Sequence, residues 1–160
     1  MNSKLDEKLC KTYPKIFADR YKDKTETCMC WGFECGDGWY DLINETCKKL
    51  QVIADTTGVQ AIADQVKEKF GTLRFYIHST YENAKNVTKD QIDTLCDIIF
   101  DIEYEADRRS RYICERCGKK EYHSCLRSVG WVYNMCDNCW TKFKEEKGIK
   151  EDETNDEDIE

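Results

Sequence analysis

The segments YICERCGKK (residues 112–120) and NMCDNCW (residues 134–140) each carry a Cys-x-x-Cys pair, and eighteen residues separate the two inner cysteines. This spacing is typical of a zinc site with four thiolate ligands. Each pair offers two sulfurs from one tight turn, and the intervening loop brings all four to tetrahedral positions about 2.3 Å from the ion. We therefore predict zinc bound by Cys114, Cys117, Cys136 and Cys139. Four thiolates leave no position for water or substrate, so the metal is expected to be structural.

Two disulfides are the alternative use of these pairs in a chain of eleven cysteines. Residues 1–25 lack the apolar stretch and the small-residue cleavage site of a secretory signal, so we expect a reducing, cytoplasmic compartment in which thiols persist. His123 is an alternative metal ligand, although a loop histidine is expected to face solvent. Four further thiols match no standard zinc spacing and are expected to stay free, with Cys47 in the core: Cys28, Cys30, Cys35 and Cys47.

The formal charge of −7 over 160 residues is unevenly distributed. Residues 144–160 hold nine acids and three lysines, a net −6, which leaves about −1 for residues 1–143. Such a polar tail buries too little apolar surface to offset its ordering entropy, so we predict that it is disordered. The chain has no apolar run long enough to cross a bilayer, and no membrane association is expected.

Helical periodicity predicts two helices in the first half of the chain. The first covers residues 3–17 and is compromised by Pro14. The second begins near Trp39, where Asp37 is placed to accept hydrogen bonds from the first free N–H groups, and Gly58 is its expected stop.

A hairpin and a third helix follow. Alternating apolar residues predict a β-hairpin over residues 59–78, with the reversal at Gly71 and Thr72. A capping box opens the third helix, which is predicted over residues 88–110. The fold class is therefore predicted to be α+β, a small antiparallel sheet packed with helices plus a zinc ribbon. The predicted domains are residues 1–111, the ribbon module 112–143 and the tail 144–160.

Aromatic and charged side chains around the hairpin form a candidate ligand site. Cations neutralise phosphates, and aromatic rings stack on bases for about 1 to 3 kcal/mol each, so this combination suits an anionic, planar ligand. The candidate ligand-binding residues are Trp31, Glu34, Asp37, Trp39, Lys67, Lys69, Arg74 and Tyr76. The alternative is that the large rings belong to the core and the lysines to a solvated strand face.

Catalytic signatures are weak. Glu34 and Asp37 would be the acid and base of a nucleotide-processing enzyme, but carboxylates three residues apart in a loop are more typical of a helix cap. The sequence has two histidines, and it contains no phosphate-cradling glycine loop, nucleophile elbow or HExxH pair. No catalytic residue is predicted.

A basic group around the first Cys-x-x-Cys pair leaves nucleic acid as a possible partner. Its members are Arg108, Arg109, Arg111, Arg116, Lys119 and Lys120. The alternative interpretation is that these cations complement the negative end of the preceding helix and are otherwise solvated. The nearly neutral body lacks the strong positive charge that nucleic-acid binding usually requires.

Three blocks of sequence carry a resemblance to a known family. GFECGDGWYDLI (residues 32–43), QVKEKFGTLRFYI (residues 65–77) and RSRYICERCGKK (residues 109–120), followed by CDNC, resemble a family of small, largely uncharacterised bacteriophage and prophage proteins. The similarity covers roughly residues 31–140 and supplies no catalytic residue. It implies an accessory phage protein of the bacterial cytoplasm that blocks a host enzyme, counters host defence or modulates transcription.

The sequence therefore favours a non-catalytic binding protein that is stabilised by zinc and captures a host protein or an anionic nucleotide-type ligand. A zinc-ribbon regulator that binds nucleic acid is one alternative. A nucleotide-processing enzyme that uses Glu34 and Asp37 is the other.

Overall fold

The computed structural model describes residues 1–149, which form four helices and five strands. The elements are α1 (Ser3–Thr12), β1 (Phe33–Glu34), α2 (Tyr40–Thr57), β2 (Gln60–Lys69), β3 (Thr72–Thr80), α3 (Lys89–Ser110), β4 (Leu126–Ser128), β5 (Val132–Asn134) and α4 (Asp137–Lys147). Short 3₁₀ turns at Cys28–Trp31 and Asp37–Trp39 flank β1. Helices and small sheets in separate segments confirm the predicted α+β class.

The main sheet has the strand order β1-β2-β3. β2 and β3 form the predicted antiparallel hairpin, in which Val66 lies opposite Phe75. β1 adds a parallel edge strand that the sequence did not predict, with Phe33 opposite Val66. A strand of two residues carries no readable alternation, so only its long-range pairing reveals it.

The hairpin reverses at Phe70 and Gly71, one residue earlier than predicted. Both residues have positive φ, 54° and 74°, as a two-residue turn that matches the twist of the flanking strands requires. Phe70 is 58% exposed, because its position in the turn removes it from the strand alternation.

The core lies between the sheet and two helices. Val66, Leu73 and Phe75 are almost fully buried, α2 packs against β2 and α3, and α3 packs along β3. The segment after α1 adds to this core. Phe17 is buried and stacks on Phe75 with ring centroids 6.1 Å apart, and the Ile16 carbonyl accepts a hydrogen bond from the Ala63 N–H at 2.8 Å.

The helix boundaries follow the capping signals in most places. The capping box of Thr88 and Gln91 opens α3, and Gly58 ends α2 in the left-handed conformation, as predicted. α1 stops at Thr12, before Pro14, and not at residue 17. Asp37 was expected to cap α2. Its carboxylate instead accepts the backbone and side-chain N–H groups of Asn2 at 2.6 and 2.7 Å, which lower the pKa of Asp37.

The C-terminal part consists of the antiparallel ribbon β4–β5 and the helix α4. α4 continues to Lys147, so residues 144–147, predicted as the start of a disordered tail, are helical. The remainder of that prediction, from residue 150 onward, lies outside the described residues. Among residues 1–149 none of the helices has the length and apolarity that crossing a bilayer demands.

Candidate metal centre

Four cysteine sulfurs form one cluster. One Cys-x-x-Cys pair follows α3, and the other lies at the start of α4. The ligand atoms of Cys114, Cys117, Cys136 and Cys139 all lie within 4.8 Å of one another, and the Sγ atoms of Cys117 and Cys136 are 3.7 Å apart. Zinc–sulfur bonds of about 2.3 Å at tetrahedral angles place sulfurs about 3.8 Å apart. The predicted four cysteines therefore form a group whose spacing fits one tetrahedral metal ion.

The first Cys-x-x-Cys turn is built by its own backbone. Gly118 has a φ of 75° and donates its N–H to the Cys114 carbonyl at 2.8 Å, while the Cys114 N–H donates to the Lys119 carbonyl at 2.9 Å. The second pair uses the start of a helix, where Cys136 is the N-cap of α4 and Cys139 lies in its first turn. Each pair thus presents two sulfurs on one side of a short, hydrogen-bonded segment.

Thiolates in this cluster require a cation that compensates their charge. Burial raises the pKa of the Cys114 and Cys139 thiols, and the backbone N–H groups of Arg116, Cys117 and Cys136 act in the opposite direction at Cys114. Several thiolates held this close repel one another unless a divalent ion compensates their charge. Soft sulfur donors in a tetrahedral array are the donor set that zinc and iron–sulfur centres use.

The turn that holds Cys114 and Cys117 is docked onto the N-terminal part of the chain. The Glu115 carbonyl accepts the Gly38 N–H at 2.8 Å, and the Glu115 carboxylate accepts the Gly36 N–H at 2.7 Å. Trp39 is fully buried and donates its indole N–H to the Ile113 carbonyl at 2.8 Å. The glycine-rich segment before α2 therefore forms the surface on which the turn of Cys114 and Cys117 packs.

The backbones approach so closely that a side chain at Gly38 has no room. A Cβ there would lie 2.3 Å from the Cys114 carbonyl oxygen and 2.4 Å from the Gly118 nitrogen. Gly38→Ala is expected to cost roughly 2 to 3 kcal/mol, because backbone atoms on both sides must separate. Denaturant unfolding of the metal-loaded protein measures this cost.

Gly130 offers the control for this substitution, since nothing lies within 4 Å of its Cβ position. Gly130→Ala carries only the strain of a positive φ, about 1 kcal/mol. Equal costs for the two variants would contradict the close seating of the metal-site turn at Gly38.

Asn134 joins three elements beneath the cluster. Its buried side chain donates to the Gly71 carbonyl at 3.0 Å and to the Ser110 carbonyl at 2.8 Å, and its Oδ1 accepts the Glu115 N–H at 3.2 Å. The hairpin turn, the end of α3 and the first Cys-x-x-Cys turn are thereby fixed to the ribbon. Sequence reasoning missed Asn134, since a single asparagine beside a metal motif carries no period or spacing of its own.

Comparisons of this chain with protein-family models, with curated proteins and with solved structures find no match. The interpretation of the site therefore depends on the arrangement of its own residues.

The other candidate metal ligands lie outside the cluster. Across the part of the chain that the structure describes, the four cysteines are the only group of three or more metal-binding side chains. His123 lies beside Asp137, with Nε2 3.7 Å from Oδ2. Cys125 is buried near the cluster, and burial raises the pKa of its thiol to about 12. Cys47 is in the core as predicted.

The strand register brings five of the eight predicted ligand-binding residues onto one face of the sheet. Glu34 and Arg74 both lie opposite Lys67, Tyr76 lies two pairs further along, and Lys69 lies two residues after Lys67 on β2. The Lys67 ammonium is 5.8 Å from the centre of the Tyr76 ring. Arg74 is ion-paired with Asp107 of α3, so the cation expected to hold phosphate is already neutralised.

The other three residues do not form a common site with that face. Trp39 is buried against Ile113, and Asp37 is bonded to Asn2. Trp31 is exposed and lines a different cavity, beside Asp6 and Arg20. On the shared face, Lys69 lies at the end next to the hairpin turn, with its ammonium 5.4 Å from the Phe70 ring centre.

A cavity of about 260 Å³ lies between β3 and α3, and the charged residues of its lining are Arg74, Glu103 and Asp107. Burial, reinforced by the charge of Asp107, raises the pKa of Glu103 to about 7. A carboxyl of this kind exchanges its proton near neutral pH.

The raised pKa makes stability depend on pH. Folded Glu103 holds its proton up to about pH 7, whereas the unfolded side chain loses it near its ordinary pKa, so the free energy of unfolding falls as pH rises between those values. Glu103→Gln is therefore expected to raise the melting temperature more at about pH 8 than at about pH 5. Melting both proteins at the two pH values tests this, and a difference that does not change with pH would contradict it.

Proposed function

We propose that the four cysteines bind one zinc ion with a structural role, and that the protein acts by binding a protein partner without catalysis of its own. The observation that carries this proposal is the docking of the metal-site turn on Gly36, Gly38 and Trp39. A metal in that position holds the C-terminal module on the body of the protein. All four coordination positions belong to cysteine, which leaves none for a substrate.

A protein partner is favoured over an anionic nucleotide-type ligand by the pairing of the charged groups. Arg74 is paired with Asp107, and Trp39 has its ring buried and its N–H satisfied. Lys67 and Lys69 remain, each beside an aromatic ring. Two lysines on an exposed strand face make a weaker phosphate site than the convergent cations that such ligands select.

A nucleotide-processing enzyme has little support at the two carboxylates that would serve it. Glu34 accepts a hydrogen bond from the Gln65 amide at 2.9 Å, whereas Asp37 is bonded to Asn2. The pKa of Asp37 is lowered by those bonds from Asn2, which is opposite to the tuning of a general acid. The two carboxylates are thus held by different parts of the fold, Glu34 by β2 and Asp37 by the residue before α1.

A nucleic-acid partner is disfavoured by the pairing of the basic group near the metal site. Four of its six cations contact carboxylates within 4.0 Å, namely Arg109 with Glu45, Arg116 with Glu146, Lys119 with Glu121 and Lys120 with Glu45. Paired cations contribute less to the phosphate contacts and counterion release that drive nucleic-acid binding.

We take the partner to be a bacterial host protein and the compartment to be the bacterial cytoplasm. The resemblance of three sequence blocks to phage and prophage proteins supports this choice. The four clustered thiols support it as well, because thiols persist where the compartment is reducing.

Native mass spectrometry of the full chain purified from bacterial cells tests the proposal. We expect one zinc ion per chain and a co-purifying host protein that is lost when a chelator removes the metal. Titration with ATP or with a duplex oligonucleotide is expected to give no saturable binding. A chain that lacks zinc, or that binds ATP through Lys67 and Lys69 as judged by loss in the Lys67→Glu, Lys69→Glu variant, would overturn it.

A further inference from the structure

The outward face of α3 is strongly acidic. Between residues 90 and 107 the helix carries seven acidic side chains and no basic one: Asp90, Asp93, Asp97, Asp101, Glu103, Glu105 and Asp107. Asp93, Asp97 and Asp101 follow one another at steps of four, so they form one exposed line along the helix. Among the described residues, no cation lies within ion-pair distance of these three carboxylates.

Exposed aromatic rings lie beside this acidic line. Phe100 and Tyr104 are one helical turn apart and are 62% and 54% exposed, and Tyr76 projects from the neighbouring strand β3. All three line the cavity of about 260 Å³ between β3 and α3. Large apolar rings that stay exposed in a row are typical of interaction surfaces.

The same cavity contains unsatisfied hydrogen-bonding capacity. One carboxylate oxygen of Asp107 pairs with Arg74, while its Oδ1 is buried and has no hydrogen-bond partner within the described part of the chain. Glu103, one turn earlier on α3, also lines the cavity. Two carboxyl side chains therefore lie beside the aromatic rings in this cavity.

We infer that this face of α3 binds a basic segment of the protein partner, and that one lysine or arginine side chain of that segment enters the cavity between Tyr76, Phe100 and Tyr104. The inference rests on the proposed protein-binding function and names the chemistry that the partner must have. The exposed line of Asp93, Asp97 and Asp101 contacts further basic side chains of the segment.

The size of the cavity and the behaviour of its rings fit such an occupant. Small-molecule sites usually enclose about 300 to 1,000 Å³, so this cavity holds one side chain better than a nucleotide. Tyr76 and Tyr104 already attract cations of the chain itself, since Lys67 lies 5.8 Å from one ring centre and Arg108 lies 6.0 Å from the other. Aromatic rings combined with carboxylates recognise ammonium and guanidinium groups through cation–π attraction and charge-assisted hydrogen bonds.

The charges around Glu103 give the binding a pH dependence. Asp107 on α3 and Asp64 on β2 favour its protonated form, Arg74 on β3 favours its ionised form, and Asp64 is itself bonded to His78 at 2.7 Å. An incoming cation favours ionised Glu103. Affinity is therefore expected to rise as pH increases through about 7, and Glu103→Gln removes that rise.

Calorimetric titration of the full, metal-loaded chain with a short amphipathic peptide of lysine and leucine tests the inference. We expect saturable binding by this peptide and none by the same peptide with every lysine acetylated. The double variant Asp97→Asn, Asp101→Asn is expected to bind about tenfold more weakly. Tyr104→Ala is expected to lose a similar factor, since it removes one ring of the cavity.

Glu82→Gln is the matched control, because Glu82 is an exposed acid outside α3. Equal weakening in this variant would mean unspecific charge attraction and would overturn the inference. Equal binding of the acetylated peptide, or unchanged affinity in the Tyr104→Ala variant, would overturn it as well. If zinc and a co-purifying host protein are present while the lysine peptide fails to bind, this inference falls and the proposed function stands. If the lysine peptide binds a chain that carries no zinc, the proposed function falls and this inference stands.

Discussion

Replacing Cys139 by serine is expected to remove zinc from the chain and to unfold the C-terminal module. The sulfur of Cys139 lies within 4.8 Å of the sulfurs of Cys114, Cys117 and Cys136. In small zinc modules metal binding and folding are one equilibrium, with apparent binding free energies of about 10 to 16 kcal/mol at neutral pH. Loss of a ligand sacrifices a large part of that energy, so we expect melting to fall by roughly 10 °C or more.

Two measurements together check this result. Elemental analysis is expected to find one zinc per wild-type chain and substoichiometric metal in the Cys139→Ser variant, while near-ultraviolet circular dichroism reports the loss of packing around Trp140. Cys96→Ser is the control, because Cys96 is a half-buried thiol of α3 outside the cluster. A Cys139→Ser protein that retains full metal content and melting temperature would show that the cluster is not a metal centre.

Asn134→Ala is expected to have the second largest effect, a loss of roughly 3 to 5 kcal/mol. The substitution removes the N–H that the Gly71 carbonyl accepts in the buried junction. The Ser110 carbonyl and the Glu115 N–H each lose one of two hydrogen bonds, since Ser110 also accepts the Ile113 N–H and Glu115 also donates to the backbone carbonyl of residue 134. A buried polar group left without a partner costs about 1 to 3 kcal/mol, each further lost hydrogen bond costs about 1 kcal/mol, and a small cavity adds to that.

Denaturant unfolding with zinc present measures this loss, and Asn138→Ala is its control. Asn138 lies four residues away between the second pair of cysteines, and its side chain is exposed. The control variant is expected to stay within about 0.5 kcal/mol of wild type. Similar stability of the two variants would contradict a role for Asn134 as the link between the hairpin turn, α3 and the metal-site turn.

The sequence was sufficient wherever a local rule determines structure. The spacing of the two Cys-x-x-Cys pairs identified the four clustered sulfurs, the capping box at Thr88 located the start of α3, and Gly58 located the end of α2. Each of these signals acts over a few residues, or through a metal geometry that is known in advance.

The sequence was insufficient where contacts join distant segments. Asp37 carries the local signature of a helix cap. Its carboxylate nevertheless accepts two N–H groups from Asn2, the residue before α1. The alternation of Arg74 with its apolar neighbours correctly predicted its place on the strand. The same periodicity carries no information about Asp107 of α3, whose carboxylate neutralises the charge of Arg74. The predicted anionic-ligand site depended on that arginine. The site was therefore mispredicted because of this ion pair, and not because a strand or helix was misplaced.

The seating of the metal-site turn on the glycine-rich segment also has a consequence for the order of folding. Gly36 and Trp39 bond to residues 79 and 74 positions further along the chain. During synthesis these groups stay without their partners until about half of the sequence has followed them out of the ribosome. Contacts of such long range slow folding and prolong the exposure of apolar surface. The docking of the C-terminal module on the glycine-rich segment is therefore expected to be a late step of folding.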